Sequence, residues 1–161
     1  MMKNTIILVN RILQEHKEIM SIFAEINKRI EKVISRAQNL QFYDVSQIVG
    51  KVTYLITLIL DHEAIEEGEL YPIFEDLGYI TDVEKLRNDH RQITKYLNDI
   101  RRLFENYAHR KIDLKKLLDT VIVLFNSLYP LFKEHIDLEE KIIKILNARL
   151  RLDQQKTSNI I

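Results

Sequence analysis

Two stretches of this chain carry the same pattern, and that repeat restricts the fold more than any other feature. A solitary histidine, His16, is followed 46 residues later by His62-Glu63-Ala64-Ile65-Glu66-Glu67; a second, His90, is followed 45 residues later by His135-Ile136-Asp137-Leu138-Glu139-Glu140. The flanks agree as well: Glu15-His16-Lys17 matches Asp89-His90-Arg91, and Ile19 and Ile26 match Ile93 and Ile100. A repeat that puts two imidazoles and a carboxylate into each half predicts one shared site with pseudo-two-fold symmetry. Four histidines and two glutamates converging in a small protein read first as metal ligands.

The repeat is laid out on helices. Three glycines and two prolines are all that punctuate 161 residues, and apolar side chains recur at helical spacing almost throughout. The pattern predicts a first helix from about Thr5 to Ala37 capped by Asn4, and a second from Asp44, with Gln47 as its capping partner, to a stop at Leu77-Gly78. A third starts at a Thr81/Glu84 capping box and ends near His109; a fourth is capped by Asp113 and runs to about Leu152. Connections this short make successive helices antiparallel neighbours, so the expected class is all-α, an up-down-up-down four-helix bundle over residues 1–152, with a polar tail at 153–161 that frays. Pro72 and Pro130 lie inside helical patterns and each removes a backbone donor, so kinks are expected there.

Residues three, four and seven away from a helical position share its face. Around His16 these include Val9, Ile12, Ile19 and Phe23; around His62, Leu55, Leu58, Ile59 and Glu66; around His90, Val83, Leu86, Ile93 and Leu97; around His135, Leu128, Leu131, Phe132 and Glu139. The four histidines therefore ride on core-facing stripes, and Glu66 and Glu139 lie one turn beyond His62 and His135 on the same stripes. A carboxylate on such a stripe needs a cationic partner. Lysine and arginine are nearly absent there; Arg87 is the exception, and its long stem reaches outward. A metal satisfies the acids and the imidazoles together. The depths along the helices agree too: at about 1.5 Å per residue, all four histidines fall near one level of the bundle.

Composition narrows the chemistry. With no cysteine, any metal is held by nitrogen and oxygen. Balanced charge, 24 basic against 24 acidic residues, argues against nucleic acid or an anionic membrane as partner. The longest apolar stretch, Val121 to Phe132, contains Asn126, Ser127 and Pro130 and is too short to span a bilayer. Arg11 interrupts the N-terminal apolar run, so no signal peptide is expected, and the expected location is cytoplasmic.

The motifs Leu13-Gln14-Glu15-His16, His62-Glu63-x-x-Glu66 with Leu70-Tyr71-Pro72, Asn88-Asp89-His90 and His135-x-x-x-Glu139 resemble those of the hemerythrin-like, or HHE cation-binding, family, over nearly the whole chain. The resemblance implies a non-haem centre of two iron ions, bridged by Glu66 and Glu139 and by an oxo or hydroxo group, and capped by His16, His62, His90 and His135. Manganese or zinc are expected substitutes in vitro. Oxygen-carrying members have a further histidine one turn after the third-helix histidine, where this chain has Thr94. Two octahedral irons need twelve donors; this set leaves two positions open where a carrier leaves one, and Glu63 is a candidate for one of them. Hard oxygen donors favour the ferric state. The expected function is accordingly binding or reaction with O2, NO or peroxide, in redox or nitrosative stress or in iron homeostasis. The alternative is an iron-sensing or storage module whose occupancy controls stability and partner binding; a purely structural bundle is the third possibility. The sequence does not identify a protein partner. His109 is expected at the surface near a helix end, Glu67 and Glu140 are expected in solvent, Glu69 behind the ligands, and Tyr54, Tyr96 and Tyr129 are candidate donors to a bound ligand.

Overall fold

The computed structural model describes residues 2–35 and 42–158. Its elements are α1 (Met2–Ser35), α2 (Phe42–Ile65), a π-helical turn (Glu66–Leu70), α3 (Tyr71–Asp76), α4 (Ile80–Ala108) and α5 (Leu114–Ser158). The π turn joins α2 and α3 into one limb, so the chain forms four helical limbs, with no strand among the described residues. Limb packs against limb around a closed circuit: α1 on α2, the α2–α3 limb on α4, α4 on α5, and α5 back on α1. The all-α bundle expected from periodicity is the one observed.

Several expected ends differ. Asn4 lies inside α1 rather than before it, and Ala37 falls outside the described residues. α2 begins at Phe42, so Asp44 is within the helix and is no N-cap. α4 opens at Ile80, and its N-cap, Tyr79, makes no side-chain cap bond; the Thr81/Glu84 capping box does not form. Asp113 does cap α5, its Oδ1 accepting from the Lys116 N–H at 2.8 Å. α5 then runs to Ser158, through the stretch expected to fray after Leu152. Propensity decides such termini only where packing is silent.

Two helix ends close by the same device. Gly78, at φ 90°, lets Tyr79 N–H reach Phe74 O and Gly78 N–H reach Glu75 O. Arg110, at φ 56°, does the same for the end of α4: Lys111 N–H donates to Asn106 O and its own N–H to Tyr107 O. Both are Schellman closures, the second using a side-chain-bearing residue where glycine is the relaxed choice.

Pro130 is carried within α5, whereas Pro72 sits just past the π turn. A proline ring clashes with the carbonyl four residues back, here Gly68, and that residue lies in the widened turn, where Tyr71 N–H bonds to Glu66 O five residues earlier. Local π geometry is common where a helix carries functional groups.

The apolar core is in two parts. One contains Ile19, Phe23, Leu55, Ile59, Ile93, Leu97, Leu128 and Phe132; the other contains Val9, Ile12, Leu70, Tyr71, Phe74, Val83, Leu86 and Ile142. On every limb the residues between the two parts are the histidines and acids of the repeat.

Candidate metal centre

Buried polar side chains fill that gap: His16, His62, Glu63, Glu66, Asp89, His90, His135 and Glu139 are all at most 7 % exposed. His16 and His62 form one pair, ring centroids 4.9 Å apart; His90 and His135 form another at 4.7 Å. Glu66 lies between the pairs and divides its two oxygens between them. Oε1 is 3.4 Å from His16 Nε2 and 2.6 Å from His62 Nε2, while Oε2 is 3.0 Å from His90 Nε2 and 3.6 Å from His135 Nε2. Glu139 Oε2 approaches His16 Nε2 at 3.0 Å. Ligand-type atoms thus gather in two groups, each within 4.8 Å: His16, His62, Glu66 and Glu139 in the first, and Glu66, His90 and His135 in the second.

Six of the seven residues expected as ligands therefore converge. Glu63 lies outside both groups. Its Oε2 accepts from Thr94 Oγ1 at 3.1 Å, its Oε1 is buried without a hydrogen-bond partner, and burial pushes its carboxyl up to about 7. The residue standing where carriers place another histidine is tied to this acid instead.

The outer ring nitrogens face carboxylates. His16 Nδ1 is 3.3 Å from Glu140 Oε1, His62 Nδ1 is 2.9 Å from Glu15 Oε2, and His90 Nδ1 is 2.8 Å from Glu67 Oε1. Such partners hold the proton on Nδ1 and leave the Nε2 lone pair facing inward. In that tautomer the inward lone pairs meet Glu66 and Glu139 oxygens, acceptor against acceptor, which a metal ion or a second ring proton between them relieves. The geometry agrees: His62 Nε2, His135 Nε2 and both Glu139 oxygens are buried without a hydrogen-bond partner despite their close approaches. Buried polar atoms are normally paired. A cluster of orphaned donors and acceptors aimed at shared points fits a bound metal.

Protons take the cation's part when metal is absent. Burial opposes charge on His16, yet Glu139 and Glu66 outweigh it and raise its imidazole to about 10. Burial works against His90 too, and Glu66 wins there as well. For His135 burial prevails, and its imidazole is held below the usual range. Burial would raise Glu66, but His62, His135 and His16 hold it well below; burial and the neighbouring Glu66 charge hold Glu139 well above.

Residues outside the expected ligand set complete the picture. Tyr71 stacks on His90 at 5.4 Å, and its hydroxyl lies 3.0 Å from His90 Nε2. Burial, with Glu66 and Glu139, keeps that hydroxyl protonated. Of the tyrosines weighed from sequence, Tyr54 is exposed and bonds Glu18, while Tyr96 and Tyr129 pack on the first core part. Tyr71 was legible only as part of a motif. Glu67 and Glu140, expected in solvent, bond histidines; Glu69, expected behind the ligands, is exposed. His109 is exposed and closes α4, as expected. Arg87 reaches outward to Glu75 and lies over the Tyr71 ring, 5.7 Å from its centroid.

A four-helix bundle whose core is interrupted by a buried histidine–glutamate layer of this kind is a metal-binding bundle. The model of the family described as hemerythrin HHE cation binding domain matches residues 7–145, a span that includes every residue of the layer, and the chain belongs to that family. Neither curated proteins nor solved structures give a significant match. Among the described residues no helix is long and apolar enough to cross a membrane.

Proposed function

We propose that the layer holds two non-haem iron ions and binds or reacts with a small ligand, O2, NO or peroxide. The carrying observation is the division of Glu66, one oxygen toward each pair of imidazoles. Glu66 would thereby be shared by the two ions, one oxygen for each. His16, His62 and Glu139 would complete one position, and His90 and His135 the other. A donor set of imidazole and carboxylate without thiolate suits iron, and accepts manganese or zinc in vitro.

An iron pair supplies Lewis-acid and redox chemistry toward such ligands. The chain's own residues supply the rest. The two core parts flank the layer, and its side chains are at most 7 % exposed, which limits the access of bulk water. Glu63, tethered by Thr94 and with its carboxyl raised to about 7, is a group that gives or takes a proton at Oε1 near neutral pH. It would be a candidate for a position left open where Thr94 stands in place of a further histidine. The Tyr71 hydroxyl offers a hydrogen bond on the His90 side.

The orphaned atoms favour a second reading as well. A layer so poorly paired without metal makes occupancy a stability switch, which is what an iron-sensing or storage module in redox or iron homeostasis requires. One experiment separates the readings: iron per chain after purification from iron-supplemented cells, with visible spectra in air, NO and peroxide. Two irons retained on dialysis, with spectra that respond to the ligands, support the reactive centre; iron lost on dialysis with a large fall in melting temperature supports the sensor. Absence of any metal binding overturns both. Glu66→Ala and His135→Ala should abolish binding of the pair, while His109→Ala leaves it intact.

A further inference from the structure

The outer carboxylates form a closed circuit around the bundle. Glu15 on α1 reaches His62 on α2; Glu67 on the π turn reaches His90 on α4; Asp89 on α4 faces His135 on α5; and Glu140 on α5 reaches His16 on α1. Three of the four limbs hold the histidine of the next, and the fourth acid only faces it. Three links are 2.9, 2.8 and 3.3 Å long, but the fourth, Asp89 Oδ2 to His135 Nδ1, is 4.0 Å, and His135 Nδ1 has no hydrogen-bond partner.

The weak link has a cause in the sequence. Asp89 is the repeat counterpart of Glu15 and is one methylene shorter. Its Oδ2 is also drawn outward by Lys85 Nζ at 2.8 Å. The two metal-ligand groups are therefore unequal. The first joins two carboxylates to two histidines that are both held from behind. The second has one carboxylate, one held histidine and one unheld, and its His90 Nε2 also lies against the Tyr71 hydroxyl.

We propose that this ring sets an order of filling: the His16/His62/Glu66/Glu139 position takes metal first and keeps it, and the Glu66/His90/His135 position takes metal second and exchanges it, with Asp89 as the positioning residue that sets the difference. The inference rests on the two-metal reading of the site. Outer partners of metal-bound histidines change affinity by about 10–100-fold, so the two steps are separated by about that factor. A centre with one fixed and one exchangeable ion takes its state from how much metal surrounds it.

The test is anaerobic calorimetric titration of the full chain with ferrous iron, for the wild type, Asp89→Glu and Glu15→Asp, with the melting temperature of each metal-free protein measured alongside. The expected wild-type isotherm has two steps of one iron each, about 10–100-fold apart. Asp89→Glu, long enough to reach His135, should tighten the second step and leave the first. Glu15→Asp should loosen the first step and bring the two together. Two irons binding in one step of equal affinity overturn the ordering while leaving the site reading intact. Two separated steps that Asp89→Glu and Glu15→Asp both leave unmoved overturn the role of the ring. If either variant fails to fold, the other decides alone. Binding of no iron by the wild type refutes the site and the ordering together.

Discussion

Glu139 has both carboxylate oxygens buried without a hydrogen-bond partner, in a residue with 0 % exposure. Replacing it with methionine, unbranched and of similar length, fills the same space without the polar atoms. An unsatisfied buried polar atom costs about 1–3 kcal/mol, so removing two relieves roughly 2–6 kcal/mol. Against that, His16 loses an acid 3.0 Å from its Nε2, and losing one partner of a buried pair costs about 3–5 kcal/mol when the remaining charge is stranded. His16 is spared most of this, since it can stay neutral or lean on Glu66 at 3.4 Å. A net gain of roughly 2 kcal/mol remains for the metal-free protein, which raises Tm by about 4–8 °C in a chain of this size. Metal should act oppositely. With each of two positions at 100 times its Kd, the wild type gains about 5 kcal/mol, or roughly 10–20 °C. Glu139→Met, lacking a residue of the first position only, should keep about half of that shift. Differential scanning calorimetry with chelator and then with excess ferrous iron under argon reads both. A variant that melts below the wild type without metal, or that keeps the full metal-induced shift, would refute the reasoning.

Three further outcomes follow from single residues. Glu63→Gln should keep the metal content and remove a titration near pH 7 from the rate of reaction with peroxide, since burial raises the Glu63 carboxyl to about 7; an unchanged rate profile by stopped flow counts against its proton role. His16 is raised from 6.5 to about 10, so its imidazolium stabilises the metal-free fold fully below 6.5 and ceases to do so as pH rises through 10. Metal must displace that proton, so affinity should climb across this window and binding at about pH 8 should release protons; calorimetry in two buffers of different ionisation enthalpy detects this, and zero release contradicts it. Arg110→Gly relieves a left-handed residue at φ 56° and should raise Tm by about 2–4 °C, near 1 kcal/mol; a fall in Tm would show that the Arg110 side chain matters more than its backbone.

The fold and the inner histidines and glutamates were legible because both are written in periodicity. The stripes around His16, His62, His90 and His135 carry the 3.6-residue spacing, and the four-residue step from His62 to Glu66 and from His135 to Glu139 survives into the structure unchanged. Helix ends were less legible. Asn4, Asp44 and Thr81 have cap chemistry, but the helices start before them, because a residue suited to a cap is not thereby placed at one. The π turn at Glu66–Leu70 leaves no mark on hydrophobic spacing, and its one signal was Pro72 just beyond it. Glu67 is exposed, as expected, and Glu140 is partly so, but the bond each makes to a histidine was not foreseen, for a definable reason. Rotation off the core-facing stripe was equated with exposure to solvent, whereas in a closed bundle the flank of one helix faces its neighbour. Glu67 is half exposed and still bonds His90 at 2.8 Å.

That flank geometry explains why the acids form a circuit rather than a scatter. Adjacent residues on an α-helix are rotated by about 100°. Seen down the bundle, a step backward along an ascending right-handed helix and a step forward along a descending one turn in the same sense. Glu15 and Asp89 lie one residue before the inward His16 and His90 on α1 and α4. Glu67 and Glu140 lie one residue after the inward Glu66 and Glu139 on the limbs that run the other way. All four acids are thereby displaced to the same rotational side, and each meets the next limb's histidine. On the opposite flank the matching positions on α1 and α4 are Lys17 and Arg91, both exposed. The Glu/Asp-His and His-x-x-x-Glu-Glu motifs are thus two writings of one rule, a residue facing in and an acid beside it. The repeat is a circuit because the chain reverses direction within each copy, between its solitary histidine and its His-x-x-x-Glu-Glu, and it is an uneven circuit because one of its four acids is an aspartate.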